Sequence, residues 1–196
     1  NASNEHLTCT ACSLHQWRAN VVPGHGDHNA TIALVGEAPG ATEDREGHPF
    51  VGTAGRKLYD LMRQAGIDPM TTWYDNVVHC RPPGNAIREY PDAITRCPDL
   101  WLKPELASMP NLRCIVALGA TAGTLWFPGM KAGELATMAR VLSSGVIVVG
   151  SYHPSYVLRG GGQWVSDSII DSLRRAMMYA AIANKMNEEG QEWTKT

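Results

Sequence analysis

Four cysteines fall into two groups, Cys9-x2-Cys12 near the start and Cys80 with Cys97 further along. Thiolates in this pattern suit a metal centre, either Zn²⁺ or an iron–sulfur cluster, and spacing alone does not separate the two. The long second interval departs from the paired Cys-x2-Cys knuckles of a zinc ribbon. The alternative for Cys80 and Cys97 is burial as small hydrophobes. Cys114 lies inside the apolar run Cys114–Leu118 and reads as core. Between the cysteine groups stands Gly36-Glu-Ala-Pro-Gly40, which is neither a Walker loop nor Gly-x-Gly-x-x-Gly. Its glycines, Gly36 and Gly40, let the backbone approach a ligand, and Pro39 fixes the turn. Glu37 and Glu43 are carboxylates able to orient water. Phe50, between Pro49 and Gly52, suits stacking on a flat ligand such as a base, a core role being awkward in such a loop. The amide of Asn76 carries a donor and an acceptor that match a pyrimidine edge, the alternative being a satisfied structural Asn. His153-Pro-Ser155, and Arg159 ahead of three glycines, complete the set.

These residues need a scaffold. Four apolar runs, at Thr31–Gly36, Trp73–His79, Cys114–Gly119 and Val146–Gly150, read as buried parallel strands. Helical patterns alternate with them. Ala54–Ala65 puts Leu58, Leu61 and Met62 on one face, and Ser166–Lys185 is long and amphipathic. Asp92–Ala107 is interrupted by Pro98 and Pro104, and Thr121–Trp126 is short. The alternation predicts a three-layer α/β/α sandwich around a mostly parallel, four-stranded sheet. Ligands bind such sheets at the carboxyl ends of the strands. The loops after the first, second and fourth strands therefore converge on one rim. The chain reads as a single domain over residues 1–196, with a polar, frayed tail at 187–196.

Composition bounds the function only loosely. The chain has 196 residues, enough for one well-buried core, and 44% of them are hydrophobic. No apolar run is long enough to span a membrane, so no membrane partner is expected. The N-terminus shows no basic-then-apolar leader pattern. Five cysteines, an odd number, argue against a disulfide framework. The net charge of −2 requires any nucleic-acid contact to come from a local basic face.

Together these residues resemble the family 4 uracil-DNA glycosylases, the iron–sulfur branch of their superfamily. The likeness rests on Cys9-x2-Cys12, Gly36–Gly40, Glu43-Asp44, the run Gly47–Gly55, and Asn76 with Cys80-Arg-Pro-Pro83 and Asn85. It continues through Cys97 to His153-Pro-Ser155 with Leu158-Arg159. The resemblance implies a monomeric DNA repair enzyme that hydrolyses the N-glycosidic bond of deoxyuridine in double- or single-stranded DNA. The products are free uracil and an abasic site. It implies a [4Fe–4S] cluster on Cys9, Cys12, Cys80 and Cys97. Phe50 would stack on a flipped uracil, Asn76 would read its polar edge, and His153 would stabilise the oxygen that gains charge. Gly36, Ala38, Pro39 and Gly40 would shape the base pocket. Leu158 would enter the minor groove, with Arg159, Pro154, Ser155, Arg81 and Asn85 along the DNA. A cytoplasmic, nucleoid-associated protein of a prokaryote or phage-infected cell is expected.

Three features depart from the wider pattern. Ala38 stands where other uracil glycosylases carry the Asp of a Gln-Asp-Pro loop. That leaves Glu37 as first choice for orienting water, with Glu43, beside a helix start, as second. After Asn85 the family usually continues Arg-Pro, whereas this chain reads Ala86-Ile-Arg88-Glu-Tyr-Pro91. The branch that links covalently to uracil-containing DNA has Gln at the position of Ala38 and a basic loop with a reactive His. Neither is present here. The competing readings are a uracil-DNA sensor with little turnover and a zinc-binding structural protein.

Overall fold

The computed structural model describes residues 3–189. A short helix α1 (Asn4–Leu7) leads through the Cys9–Cys12 segment to β1 (His25–Gly26) and β2 (Ile32–Gly36). Helices α2 (Ala41–Glu46) and α3 (Thr53–Ala65) follow, then β3 (Trp73–Asn76). Next come α4 (Pro91–Cys97), α5 (Lys103–Ser108), β4 (Cys114–Leu118), α6 (Gly119–Gly123) and α7 (Ala132–Leu135). Strands β5 (Ala139–Val141) and β6 (Ile147–Ser151), a single turn α8 (Pro154–Tyr156) and the long α9 (Gly162–Glu188) complete the chain.

The sheet order is β1-β3-β2-β4-β6-β5. Strands β3, β2, β4 and β6 are parallel, as their apolar runs predict, and helices cover both faces. The expected four strands become six, because β1 and β5 pair antiparallel at the two edges. Every residue of the four inner strands is buried. Alternation along β2 splits them between two cores. Ala33 and Val35 face a cluster with Leu102, Trp126 and Leu135. Ile32 and Leu34 face Leu58, Leu61 and Met62 of α3 and Ile169 and Leu173 of α9. Cys114 is fully buried in that second cluster, as expected.

Other boundaries moved for local reasons. Strand β3 ends at Asn76, short of the expected His79, although Val77 N–H and Val78 N–H still donate to the carbonyls of Gly36 and Glu37 (2.9 and 3.1 Å). The prolines at 98 and 104 do not break the predicted helix. It runs on as α4, a π-type turn over Pro98–Leu102, and α5, with a proline in the first turn of each of the last two pieces. At that position the missing N–H costs little, and the wider turn absorbs the ring. Helix α6 starts at Gly119, ahead of the predicted Thr121, where φ of +85° turns the chain out of β4. Of the tail expected to fray, Asn187 and Glu188 belong to α9 and Glu189 caps it; residues 190–196 lie outside the described residues.

Close packing at the carboxyl edge of β6 generates a prediction. A Cβ on Gly150 would stand 2.1 Å from the carbonyl oxygen of Leu135. Gly150→Ala therefore costs about 1–3 kcal/mol through overpacking. Thermal denaturation followed by circular dichroism should show a midpoint lower by several degrees. An unchanged midpoint would mean that the α7 segment retreats freely.

Candidate active site

The carboxyl ends of β2, β3, β4 and β6 open into one cavity of about 460 Å³. Most of the predicted residues meet there: Glu37, Ala38, Pro39, Gly40 and Glu43 from the first loop, then Phe50, Asn76, Asn85, His153, Ser155 and Arg159. Four others stand back from its wall. Gly36 lies behind it, Arg81 donates to Asn85 Oδ1 (3.2 Å), Pro154 is buried, and Leu158 projects into solvent at 48% exposure.

Register sets the base of the cavity. Gly36 pairs with Asn76 across β2 and β3. A Cβ at Gly36 would lie 2.6 Å from Asn76 Oδ1 and 2.7 Å from the Phe50 ring, so only glycine lets both side chains meet over the strand end. Asn76 is buried at the end of its strand. Phe50 is buried too, in the core cluster beside Tyr74, so the expectation that it avoids the core is corrected. It also lines the cavity, so one ring serves both environments. Its φ of +57° is left-handed, a conformation costing a bulky residue about 1–2 kcal/mol. Gly55 makes this possible: a Cβ there would fall 1.7 Å from the Phe50 carbonyl oxygen.

The two carboxylates have different surroundings. Glu43 is buried as a strap, with Oε1 accepting from Gly52 N–H at 2.7 Å. Cβ atoms at Gly40 or Gly52 would both come within 2.8 Å of its oxygens. Glu37 faces the cavity and accepts a hydrogen bond from Thr121 Oγ1. Asp44 is structural: its Oδ1 accepts from Ala19 N–H (2.9 Å) and Asn20 N–H (3.2 Å), docking the N-terminal segment.

His153 has a defined tautomer. Ser155 N–H points at Nδ1 (3.2 Å) and Ser155 Oγ lies 2.7 Å from it. Nδ1 therefore accepts, and Nε2 carries the proton. Burial chiefly, and the Arg159 guanidinium second, lower the pKa of His153 to about 4. The ring is a neutral donor at ordinary pH. Ser155, expected along the DNA, also orients this ring.

The four predicted thiols line a second cavity behind β3 with His6, Arg18 and Trp101. Arg96 donates to Ala11 O (2.9 Å), and Ser13 N–H donates to Asp92 Oδ2 (2.9 Å), binding the Cys9–Cys12 segment to α4. Arg18 reaches Cys9 O (2.7 Å) and Cys80 Sγ (3.5 Å). Burial raises the Cys80 thiol to about 11 against the pull of Arg18, and raises Cys12 and Cys97 as well. Among the described residues, no three His, Cys, Asp or Glu side chains converge on one ion. Four thiols around one shared cavity are a donor set that suits a metal centre. The two cavities are connected. Asp75 Oδ1 is 2.8 Å from His79 Nε2, and His79 Nδ1 is 2.8 Å from His6 Nε2, whose ring stacks on Trp101. Asp75 also accepts from Asn76 N–H at 2.8 Å.

Sequence reasoning missed Thr121, Tyr152 and Arg88. Thr121 lies just past β4, whose loop was the one rim segment passed over. Arg88, within the stretch that departs from the usual family pattern, lines the cavity.

The family model of the uracil DNA glycosylase superfamily matches residues 23–174. The chain belongs to that superfamily. A type-4 uracil-DNA glycosylase of Thermotoga maritima is 36% identical, the match covering 87% of this chain and 88% of the relative. The type-4 enzyme of Archaeoglobus fulgidus is also 36% identical, over 79% of this chain and 80% of its own. That of Sulfurisphaera tokodaii is 37% identical, over 79% and 73%. The superfamily match spans all of the rim residues, whereas Cys9 and Cys12 precede it.

Acid should destabilise the fold through two histidines, the buried His6 and the half-buried His153. His153 and His6 each have a folded pKa of about 4, below the ordinary 6.5. Their neutral burial contributes full stability above pH 6.5, and that contribution is lost as pH falls towards 4. Melting midpoints between pH 7.5 and 4.5 should therefore decline, and less steeply in His153→Gln. Parallel declines would assign the acid sensitivity elsewhere.

Proposed function

We propose that the protein is a monofunctional uracil-DNA glycosylase that hydrolyses the N-glycosidic bond of deoxyuridine in DNA, releasing uracil and leaving an abasic site. The observation that carries this reading is the meeting of Phe50, Asn76, Glu37 and a neutral His153 in one cavity of a chain of this superfamily. A base inside a duplex is out of reach, so the uridine must be flipped out. Phe50 then supplies an aromatic face, and the Asn76 amide supplies one donor and one acceptor for the polar edge of uracil. Uracil departs as an anion from an oxocarbenium-like sugar. The Nε2–H of His153 meets that negative charge as a preorganised neutral donor, worth about 3–4 kcal/mol in comparable oxyanion sites. Glu37 orients the attacking water and favours the cationic sugar. Thr121 holds that carboxylate in place. Glu43, whose Oε1 is committed to Gly52 N–H, is assigned to loop architecture. Arg159 and Arg88 supply positive charge at the cavity wall for the DNA backbone. Because the substrate is genomic DNA, the protein is assigned to the nucleoid. No feature of the site favours a sensor without turnover.

Cys9, Cys12, Cys80 and Cys97 are the residues that would hold a [4Fe–4S] cluster. When bound, the cluster would supply structural cross-linking between the N-terminal segment, β3 and α4. The four-thiol donor set around one cavity supports it.

The test of function is strand nicking of a uracil-containing oligonucleotide after alkali. Release from U-containing but not T-containing strands is expected. Under single-turnover conditions Glu37→Gln should slow excision by about 10²-fold, in line with loss of a positioned acid–base group. Glu43→Gln should act mainly through lowered stability. A larger chemical loss at position 43 would exchange the two roles. Iron analysis should find iron and acid-labile sulfide in the wild type, with both lost in Cys97→Ser and kept in Cys114→Ser. One zinc per chain without iron would overturn the cluster.

A further inference from the structure

Beside the cavity mouth stand three aromatic rings that the reaction does not use. Tyr152 and Tyr156 line the cavity rim. Trp164 stands at right angles to both, at centroid distances of 5.4 and 6.2 Å, so it stacks face to face on neither. It is 56% exposed and Tyr156 is 38% exposed, whereas the core tryptophans Trp73 and Trp126 are 7% and 8% exposed. Large exposed rings clustered at a functional rim are informative in a way that scattered ones are not. The backbone is shaped to hold them there. Gly160 and Gly162 adopt φ of +90° and +71°, which turn the chain from Arg159 into the first turn of α9 and set Trp164 back against Tyr156. A side chain at either glycine would be strained.

We propose that Trp164, with Tyr156 as its side wall, forms a nucleobase-stacking subsite for the nucleotide next to the flipped uridine, in the strand that carries it. The proposal rests on the glycosylase reading of the adjoining cavity. Three features point to a base as the occupant. The patch is continuous with the cavity that takes the flipped nucleotide. Arg159 adjoins it and offers charge for the intervening phosphate. The exposed faces are aromatic, and every base has a π-face to lay on them. Flipping one nucleotide unstacks its neighbour, and a ring at the rim replaces the lost partner.

The test uses single-stranded oligonucleotides carrying 2′-fluoro-deoxyuridine, whose fluorine blocks bond cleavage, so that binding is read by fluorescence anisotropy. The flanking nucleotide, 5′ or 3′, is either a normal thymidine or a tetrahydrofuran linker without a base. With the base present, Trp164→Ala should weaken binding about tenfold, the loss typical of one base–aromatic stack. With the base removed from the occupied side, the wild type should fall to the level of the variant, and Trp164→Ala should then cost less than about twofold. Trp164→Phe, which keeps a ring, should retain most of the binding, and Trp164→Leu should not. That pair carries the test if the alanine variant unfolds. An equal loss with and without the flanking base, on both sides, would overturn the subsite and leave the glycosylase reading intact. Failure of the wild type to nick cleavable uracil-containing strands would overturn that reading, while the coupling between Trp164 and the flanking base is read without turnover.

Discussion

The site depends on a side chain that is missing. At Gly36, where β2 ends against Asn76 of β3, a single Cβ would strike both the Asn76 amide and the Phe50 ring. Because nothing is there, a polar group and an aromatic face can occupy the end of a parallel sheet, where helix dipoles and strand ends already favour ligands. The same economy recurs one loop away. Gly55 gives the Phe50 carbonyl room, and that room permits a left-handed phenylalanine. The strain is held by packing against Tyr74 on one side, while the ring also lines the cavity. A pocket assembled in this way is formed before any ligand arrives, and preorganisation of donors is the larger part of stabilising a leaving anion.

The polar groups around the pocket are divided by what they are free to do. His153 is neutral and has one nitrogen occupied by Ser155, leaving the other as a donor. Both carboxylates are anchored, but Glu43 by a backbone N–H within the loop and Glu37 by a hydroxyl of α6, just past β4. Behind them runs the chain Asn76, Asp75, His79, His6 and Trp101. It passes from the end of β3 to the thiol cavity. The N-terminal segment is thereby packed against the rear of the pocket wall, where an exposed Cys-x2-Cys finger would have been independent of it.

Much of this was legible from the residues. The four inner strands announce themselves as short, largely apolar runs, three of them carrying Ile and Val. The rim loops follow from the rule that α/β sheets work at their carboxyl ends. The edge strands were invisible: His25–Gly26 and Ala139–Val141 are two and three residues long, exposed throughout, and too short to show a periodic signal. The π-type turn at Pro98 hid for the opposite reason, since proline normally signals a break and here the helix widened around it. Among site residues, Asn76 and His153 stood out because polar groups at strand ends need partners. Thr121 and the orienting role of Ser155 did not, because a hydroxyl that orients another side chain has no signature until the fold brings the two together. Glu37 and Glu43 look alike in sequence, and only their neighbours distinguish them.

The short edge strands have a consequence for behaviour at high concentration. The inner strands, with runs such as Ile-Ala-Leu-Val and Ile-Val-Val, are the kind of segment that adds to a neighbouring molecule when a border is left open. Here each border is closed by an antiparallel strand of opposite direction and trivial length, one interrupted by Gly26 and the other carrying Arg140. Such a margin offers few free N–H and C=O groups and no flat apolar strip. The most adhesive strands of the chain are thus fenced off from self-association.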